Sequence, residues 1–295
     1  MPAGLSRKHT SMRVTIFGAT GLLGQALVKA WAEECPEDEV TGLSSKDADI
    51  RNPQQVMDAV RASRPERIVL AAAYTDVDGC ESRPGLAFAV NRDGAVNVAE
   101  AAKKRGSGLL FVSTDYVFDG TKTTPYEVDD PRVPRSVYGR SKAEAEVRLT
   151  EILPGCCIVR TSWLFGIGGK CFPDTILRLA ENRSELQVVN DQRGSPTYGT
   201  DLARAIIQLC HENATGIVHA TNRGDCTWFD FAREIVERAG LTTPVHPTTS
   251  DKFPRPAERP KYSVLSRRSL DRYGVAMPNW EDTLGRYLAA RRTAG

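Results

Sequence analysis

A tyrosine and a lysine at helical spacing are the first residues that suggest chemistry. Tyr138 and Lys142 are four residues apart, so on a helix both side chains lie on one face. A phenol has a pKa of about 10, and a neighbouring lysine cation favours the phenolate and lowers that pKa. Such a pair can exchange a proton with the oxygen of a carbonyl or hydroxyl group. Of the eight tyrosines, only Tyr138 is followed by a lysine at this distance.

Two hydroxyl side chains at the end of an apolar run complete this candidate site. Ser113 and Thr114 follow the run 109–112, which is typical of a buried strand. Either hydroxyl can hold a carbonyl oxygen against the phenol, and we take Thr114 as the candidate. The sequence therefore predicts Thr114, Tyr138 and Lys142 as catalytic residues for the reduction of a carbonyl group.

A reduction also needs a hydride donor, and a glycine-rich turn near the start of the chain predicts a site for one. Gly18, Gly21 and Gly24 follow the apolar run 14–17 and precede an amphipathic helical segment. Glycines at these places permit a tight turn, close approach of a pyrophosphate to the backbone, and close packing of helix on strand. The first turn of the helix would offer its N–H groups to the phosphates. The alternative is a glycine-rich turn in an unrelated α/β protein.

The second predicted strand, 39–43, bears on the choice of cofactor. In a doubly wound sheet its carboxyl end approaches the adenosine ribose. Ser44, Ser45 and Lys46 follow it, and hydroxyls with an ammonium group suit a 2′-phosphate. We therefore expect NADPH, with NADH as the other option.

The alternation of apolar runs and helical patterns predicts the fold class. Up to about residue 160, strands and helices alternate, which is typical of an α/β protein with a Rossmann-type doubly wound parallel sheet. We expect one unbroken helix over about 84–105. Beyond residue 160 the chain is richer in aromatic residues, Gly and Pro, and predicts a smaller, discontinuous substrate-binding lobe. The expected boundaries are 12–162 with 191–221 for the dinucleotide-binding domain, and 163–190 with 222–295 for the lobe.

Composition excludes several classes of function. The 39 basic residues nearly balance the 37 acidic ones, so we expect no nucleic-acid partner. No apolar run approaches the roughly 20 residues that span a bilayer, so we expect no membrane partner. The seven cysteines form no C-x-x-C pair and there are only four histidines, which predicts no metal site, no disulfide framework and a cytoplasmic location. Residues 1–11 have the composition of a disordered tail, and Met12 is a second candidate for the start.

These motifs together resemble the extended short-chain dehydrogenase/reductase family. Its members use a Ser/Thr, Tyr and Lys triad with a glycine turn of this G-x-x-G-x-x-G form. Within it, longer stretches are similar to those of the dTDP-4-dehydrorhamnose reductases: AAAYTDVD at 71–78, STDYVFDG at 113–120, RTSW at 160–163, DQRGSPT at 191–197 and AERP at 257–260. The resemblance runs from about residue 12 to about residue 280.

The resemblance implies a role for particular residues. Thr114 would bind the keto oxygen, Tyr138 would donate the proton, and Lys142 would hold the nicotinamide ribose and tune Tyr138. The implied cofactor-binding residues are Gly18, Thr20, Gly21, Leu22, Leu23, Asp49, Ile50, Ala71, Ala72, Ala73 and Tyr74, to which we add Lys46. The implied contacts with substrate are Asp115, Tyr116, Trp163 and Arg259. An indole ring offers a stacking face, and a guanidinium group binds a diphosphate with two hydrogen bonds.

The implied reaction is the reduction of dTDP-4-dehydro-L-rhamnose to dTDP-L-rhamnose, and the implied partner is a dTDP-linked 4-keto-6-deoxysugar. A homodimer is an open option. One departure is Cys171, which stands where the family usually has Asn in Gly-Lys-Asn-Phe. Two other functions also fit the motifs. One is a non-catalytic regulatory subunit resembling the β subunit of methionine adenosyltransferase, and the other is a sugar-nucleotide epimerase that recycles its nicotinamide.

Overall fold

The centre of the molecule is a parallel sheet of six strands, seen in a computed structural model that describes residues 11–294. Residues 1–10, most of the expected tail, lie outside this range. In chain order the sheet strands are β1 (Arg13–Phe17), β2 (Glu39–Leu43), β3 (Arg67–Leu70), β4 (Gly108–Thr114), β5 (Cys157–Thr161) and β10 (Gly216–His219). The expectation of a Rossmann-type doubly wound parallel sheet is confirmed.

The order of strands in this sheet fixes where a ligand can bind. Across the sheet the order is β10-β5-β4-β3-β1-β2. Strands β2 and β3 therefore flank β1 on opposite sides, and the chain continues from β3 to β4, away from β1. The connections after β1 and β3 therefore diverge and leave a crevice at the carboxyl ends of these strands. Gly18 follows β1 and Ala71 follows β3 at this crevice.

Helices cover both faces of the sheet because its strands are apolar on both sides. Ile16 of β1 packs into one cluster with Leu27 and Trp31, whereas the next residue, Phe17, packs into a second cluster with Val98. The helices of this part are α1 (Leu22–Glu34), α2 (Pro53–Ser63), α3 (Val77–Ser82), α4 (Pro84–Phe88), α5 (Gly94–Arg105), α6 (Val137–Ile152) and α8 (Gly199–His211).

The expected single helix over 84–105 is wrong in one respect. A π-helical turn, Ala89–Asp93, separates α4 from α5. The side chain of Asn91 lies in this turn and makes three hydrogen bonds: two with the backbone of Tyr74 and one with the hydroxyl of Ser141. The wider turn thus brings an amide side chain to the end of β3, and π-turns are often found at functional sites.

The second half of the chain forms a further core beside the carboxyl edge of the sheet. It contains three two-stranded pairs: β6 (Leu164–Phe165) with β9 (Thr197–Tyr198), β7 (Leu186–Val189) with β12 (Val245–Thr248), and β8 (Arg193–Gly194) with β11 (Cys226–Thr227). Its helices are α7 (Phe172–Asn182), α9 (Trp228–Arg238), α10 (Arg268–Asp271) and α11 (Trp280–Ala294). Phe165, Phe231 and Tyr287 are fully buried at its centre.

The boundaries proposed between the two parts stay a prediction. Strands β8 and β9 pair with strands of the smaller part, whereas α8, which follows them directly, packs on α1 beside the main sheet. Within residues 11–294, no helix is both long enough and apolar enough to cross a lipid bilayer.

Candidate active site

A cavity of about 780 Å³ lies at the carboxyl edge of the sheet, over the crevice between β1 and β3. We call it the active-site cavity. It brings together most of the residues singled out in the sequence: Gly18, Thr20, Gly21, Leu22, Leu23, Asp49, Ile50, Ala71, Ala72, Ala73, Tyr74, Thr114, Asp115, Tyr116, Tyr138, Lys142 and Trp163. Lys46 and Arg259 are not among its lining residues.

The glycine turn has the shape that a bound pyrophosphate requires. Gly18 has a φ of +89°, and a Cβ there would come within 2.5 Å of the backbone nitrogen of Ala72. At Gly24 a Cβ would come within 2.0 Å of the carbonyl oxygen of Gly18. Gly21 precedes α1 and provides no side-chain cap, so no side chain occupies the first N–H groups of this helix. The residues present therefore fit a dinucleotide whose phosphates lie at the start of α1.

Tyr138 is positioned by the first turn of α6. The hydroxyl of Ser136 accepts a hydrogen bond from the backbone N–H of Gly139 and so caps the helix. The ring of Tyr138 packs edge-on against Tyr116, with ring centroids 5.7 Å apart. Its phenol group interacts with the hydroxyl of Thr114. The predicted pair of Thr114 and Tyr138 is thus together in the structure.

The pKa of Tyr138 is shifted in the direction opposite to the one we expected. Burial raises the pKa of this phenol, the hydrogen bond with Thr114 lowers it, and the negative charge of Asp115 raises it further. A raised pKa keeps the phenol neutral, which is the form that donates a proton.

Lys142 is a buried residue of the cavity lining. Its side chain is 2 % exposed, and its Nζ donates a 2.6 Å hydrogen bond to the carbonyl oxygen of Val112. The same Nζ lies 3.9 Å from the ring centroid of Phe111. Burial lowers the pKa of Lys142 to about 7, and the charge of Glu146 opposes this shift.

Of the two hydroxyl candidates, Thr114 is the one left for a ligand. Ser113 donates a 2.6 Å hydrogen bond to Glu146, a fully buried carboxylate that also binds Arg160. Ser113 and Glu146 therefore belong to a structural network that ties β4 to α6 and β5. Thr114 instead interacts with Asp115, with the backbone of Tyr116 and with Tyr138.

Asp115 is a buried carboxyl group in the wall of the cavity. It is 1 % exposed, and its Oδ2 has no hydrogen-bond partner in the part of the chain that the structure describes. Burial raises the pKa of Asp115 to about 6, although the nearby hydroxyls of Ser263 and Thr114 oppose this rise. A buried polar atom without a partner is costly, and here it points to a ligand.

Trp163 both packs and lines the cavity. Its ring stacks on that of Trp228, with centroids 3.5 Å apart and an angle of 7° between the planes. Its backbone φ is +46°, a left-handed conformation that is strained for a bulky residue. Trp163 is therefore part of the core of the smaller part as well as of the cavity lining, and its contact with substrate stays a prediction.

Arg259 is bound to another residue instead of facing the cavity. Its guanidinium group donates two hydrogen bonds to Asp78, of 3.0 and 2.9 Å. It lies in a segment, residues 253–262, that we call the C-terminal loop. This loop lines a second cavity of about 770 Å³ beside the first. Arg259 is close enough to Tyr116 for its charge to lower the pKa of that phenol.

At the adenosine end of the cavity the sequence analysis missed Arg51, whereas Ser45 was among the hydroxyls expected there. Ser45 and Arg51 line the cavity, whereas Lys46, between them in sequence, does not. The guanidinium group of Arg51 is paired with Asp49. The signal was an arginine directly after Asp49 and Ile50, both of which the family resemblance had already placed near the adenine.

Cys171, the departure from the family motif, points into the core of the smaller part. It precedes α7, and its Sγ lies 3.2 Å from Asp174 Oδ2 and 3.5 Å from the hydroxyl of Tyr287. Burial raises the pKa of this thiol. The neighbouring Lys170 lines the active-site cavity, whereas Cys171 does not.

Comparisons with known proteins identify the family of this chain. The model of the family "RmlD substrate binding domain" matches residues 12–293. A dTDP-4-dehydrorhamnose reductase of Sinorhizobium fredii is 38% identical over 291 residues, covering 95% of this chain and 97% of the relative. A probable dTDP-4,6-dihydroxy-2-methyloxan-3-one 4-ketoreductase of Streptomyces antibioticus is 40% identical, covering 92% and 93%.

A solved structure gives the same result. The dTDP-4-dehydrorhamnose reductase of Bacillus anthracis, in complex with NADP, is 40% identical with a TM-score of 0.91, covering 95% of this chain and 100% of that one. The resemblance inferred from the motifs is thus confirmed over nearly the whole chain. The chain belongs to the RmlD substrate binding domain family.

Proposed function

We propose that this protein is an NADPH-dependent reductase that converts dTDP-4-dehydro-L-rhamnose to dTDP-L-rhamnose. The observation that carries the proposal is one cavity lined both by the glycine turn and by Thr114, Tyr138 and Lys142. The proposed cofactor site and the proposed proton donor therefore share the active-site cavity. The reductases among the relatives support the same reaction.

The chain's own residues supply the binding and the proton. The nicotinamide cofactor, when bound, supplies the hydride. Thr114 and Tyr138 hold the keto oxygen between their hydroxyls, and Tyr138 donates its proton to the oxygen as negative charge develops there. Its raised pKa keeps the proton on the phenol until that moment. Lys142 holds the nicotinamide ribose, and its positive charge favours the phenolate that remains.

The cofactor proposal rests on both ends of the cavity. The N–H groups at the start of α1 bind the pyrophosphate, while Asp49, Ile50, Ala71, Ala72, Ala73 and Tyr74 line the path between adenine and nicotinamide. Arg51 and Ser45 offer a guanidinium group and a hydroxyl for a 2′-phosphate. The Bacillus anthracis relative with bound NADP supports this choice. Lys46 stays a weaker candidate, since it does not line the cavity.

The substrate proposal places the sugar between Tyr138 and Trp163. Asp115, with its unpartnered Oδ2, and Tyr116 are close to the proposed position of the keto group. Arg259, which the structure pairs with Asp78 outside the active-site cavity, stays a predicted contact of the diphosphate. A second substrate, another dTDP-linked 4-keto sugar, has support from the Streptomyces antibioticus relative, whose name describes such a ketoreductase.

The test is the loss of NADPH absorbance after addition of dTDP-4-dehydro-L-rhamnose. We expect rapid oxidation by the wild type and a fall of about 10²–10⁴-fold in Tyr138→Phe, because the mutant keeps the ring but loses the donated proton. NADPH affinity, measured by fluorescence, is expected to remain. Tyr273→Phe is the matched control, since the hydroxyl of Tyr273 donates only to the backbone of Thr215, outside the cavity.

The alternatives give different results. NADPH binding with no oxidation in the presence of any dTDP-linked 4-keto sugar would support a regulatory subunit. Tightly bound oxidised cofactor in the purified protein would support an epimerase. Full activity in Tyr138→Phe would remove Tyr138 as the donor, whatever the substrate.

A further inference from the structure

We propose that Cys35, Asp38 and His211 form a zinc site at the edge of the sheet opposite the active-site cavity. Cys35 directly follows the last residue of α1, Asp38 directly precedes β2, and His211 is the last residue of α8. Helix α1 begins at the carboxyl edge of the sheet, so its far end lies at the amino edge. Because the composition suggested no metal, this site revises the expectation drawn from the sequence.

The geometry of the three side chains fits a metal ion. One ligand atom from each residue lies within 4.8 Å of the other two, and within residues 11–294 no other group of three such side chains is as close. The Nε2 of His211 lies 3.1 Å from Asp38 Oδ2. Two ligand atoms bound to one tetrahedral zinc ion are about 3.3 Å apart, given metal–ligand distances of about 2.0–2.1 Å. The carboxylate and the imidazole are therefore spaced almost as zinc requires, and the thiol lies within 4.8 Å of both.

The ligand types select zinc among the common divalent ions. Zinc binds thiolate sulfur, imidazole nitrogen and carboxylate oxygen, whereas magnesium and calcium prefer sites made entirely of oxygen. Three protein ligands leave a fourth position for water. No residue of this cluster lines the active-site cavity, so the site would have a structural role.

Two hydrogen bonds from neighbouring residues fix the orientation of the Asp38 carboxylate. Asp38 accepts a 2.9 Å hydrogen bond from the indole N–H of Trp31 at one oxygen and a 2.9 Å hydrogen bond from the backbone N–H of Met12 at the other. Trp31 is fully buried, and the Asp38 side chain has no exposed surface. Such outer partners fix the orientation of a metal ligand and raise the affinity for the metal.

The electrostatic environment also attracts a cation. The carboxylates of Asp38, Glu37 and Glu34 are near enough to the Cys35 sulfur to interact with it electrostatically. The same carboxylates create a negative field at the sulfur, which favours a divalent ion. A bound zinc ion would displace the thiol proton and join the ends of α1 and α8, which are more than 170 residues apart in sequence.

The test uses Co²⁺ and Zn²⁺ on the full chain, prepared with a chelator and then freed of it. We expect one Co²⁺ per chain, with the thiolate-to-cobalt charge-transfer band and the intense visible bands of a four-coordinate ion, both displaced by Zn²⁺. Cys35→Ser should lose the charge-transfer band. In both Cys35→Ser and His211→Gln, zinc affinity should fall by at least about 100-fold, since even loss of an outer partner costs about 10–100-fold.

The matched control is His246→Gln, which changes an exposed histidine of β12 beside Glu185. It should bind zinc as the wild type does. Zinc should also raise the thermal midpoint of the wild type and the control but not of Cys35→Ser. Absence of the charge-transfer band in the wild type, or equal zinc affinity in all four proteins, would overturn the proposal. If a variant is less stable, the Co²⁺ spectrum of the folded wild type still decides.

Discussion

Two ionisable side chains of the active-site cavity are shifted towards their neutral forms. Burial raises the pKa of Asp115 to about 6 and lowers the pKa of Lys142 to about 7. The cause is the same for both, since removal from water disfavours a charge of either sign. The same exclusion of water strengthens the hydrogen bonds that Thr114 and Tyr138 would make to a keto oxygen.

At Asp115 this shift makes a prediction about stability. Its pKa is higher in the folded protein than the ordinary 3.8, so the folded state holds the proton more tightly. The resulting stabilisation is complete below about pH 4 and is lost as the pH rises through about 6. Asp115→Asn keeps the shape of the side chain but cannot ionise. At pH 8 its free energy of unfolding should therefore be higher than that of the wild type, by up to about 3 kcal/mol. Urea unfolding at pH 4.5 and pH 8 measures the difference.

The control for this prediction is Asp119, whose pKa is shifted in the opposite direction. Asp119 accepts hydrogen bonds from Tyr126 and Thr121, which lower its pKa. Asp119→Asn should be no more stable than the wild type at pH 8. If Asp115→Asn gains no stability at pH 8, or gains the same amount at both pH values, the carboxyl group does not carry the cost we assign to it.

Residue chemistry was predictable where it depended on local spacing. Tyr138 and Lys142 lie on one face of α6 because a helix places residues four apart together, so the sequence alone was sufficient. The direction of the Tyr138 pKa shift was not predictable, because it depends on burial and on Asp115. Arg51 was missed for a similar reason, since only the fold shows that it faces the cavity whereas Lys46 does not.

At the scale of elements, the tight contact between α1 and the turn before it carries the cofactor site. A Cβ at Gly24 would come within 2.0 Å of the Gly18 carbonyl oxygen and 2.6 Å of the Ala19 Cα, both of which are backbone atoms. We predict that Gly24→Ala moves α1 away from the turn, costs roughly 1–3 kcal/mol of stability, and weakens NADPH binding. Thermal unfolding and fluorescence titration with NADPH measure both effects.

The matched control is Gly155→Ala, in the turn between α6 and β5. A Cβ at Gly155 meets no atom within 4 Å, and its backbone has an ordinary φ. Its stability and NADPH affinity should equal those of the wild type. Equal NADPH affinity in Gly24→Ala and Gly155→Ala would show that the close approach of α1 is not needed for the phosphates.

Regular elements followed from sequence periodicity, and irregular ones did not. The strand Glu39–Leu43 agrees with its predicted bounds. The π-turn at Ala89–Asp93 was not predicted from the sequence. It is stabilised by tertiary hydrogen bonds from Asn91 to Tyr74 and Ser141, which only the folded chain provides.

At the scale of the whole molecule, the carboxylate of Asp78 joins the C-terminal loop to helix α3. Asp78 of α3 accepts two hydrogen bonds from Arg259 and one from the backbone N–H of Ala257, and its Oδ2 lies 3.6 Å from Arg255. These residues are far apart in sequence, so no local pattern predicted the contact. The contact also explains why Arg259, expected at a diphosphate, lines the second cavity and not the active-site cavity.

We predict that Asp78→Asn releases the C-terminal loop. The hydrogen bond from Arg259 holds the pKa of Asp78 below its ordinary value, so its contribution is present at neutral pH and lost as the pH falls through that lowered pKa. Charge-assisted hydrogen bonds in a half-buried pair are worth more than a surface ion pair, and the amide replacement loses the charge. Hydrogen exchange across residues 253–262 at pH 7 should become faster by about tenfold.

Glu258→Gln, which loses only an exposed pair with Arg135, is the control and should leave exchange unchanged. Equal exchange in both variants would mean that packing, and not Asp78, holds the loop closed.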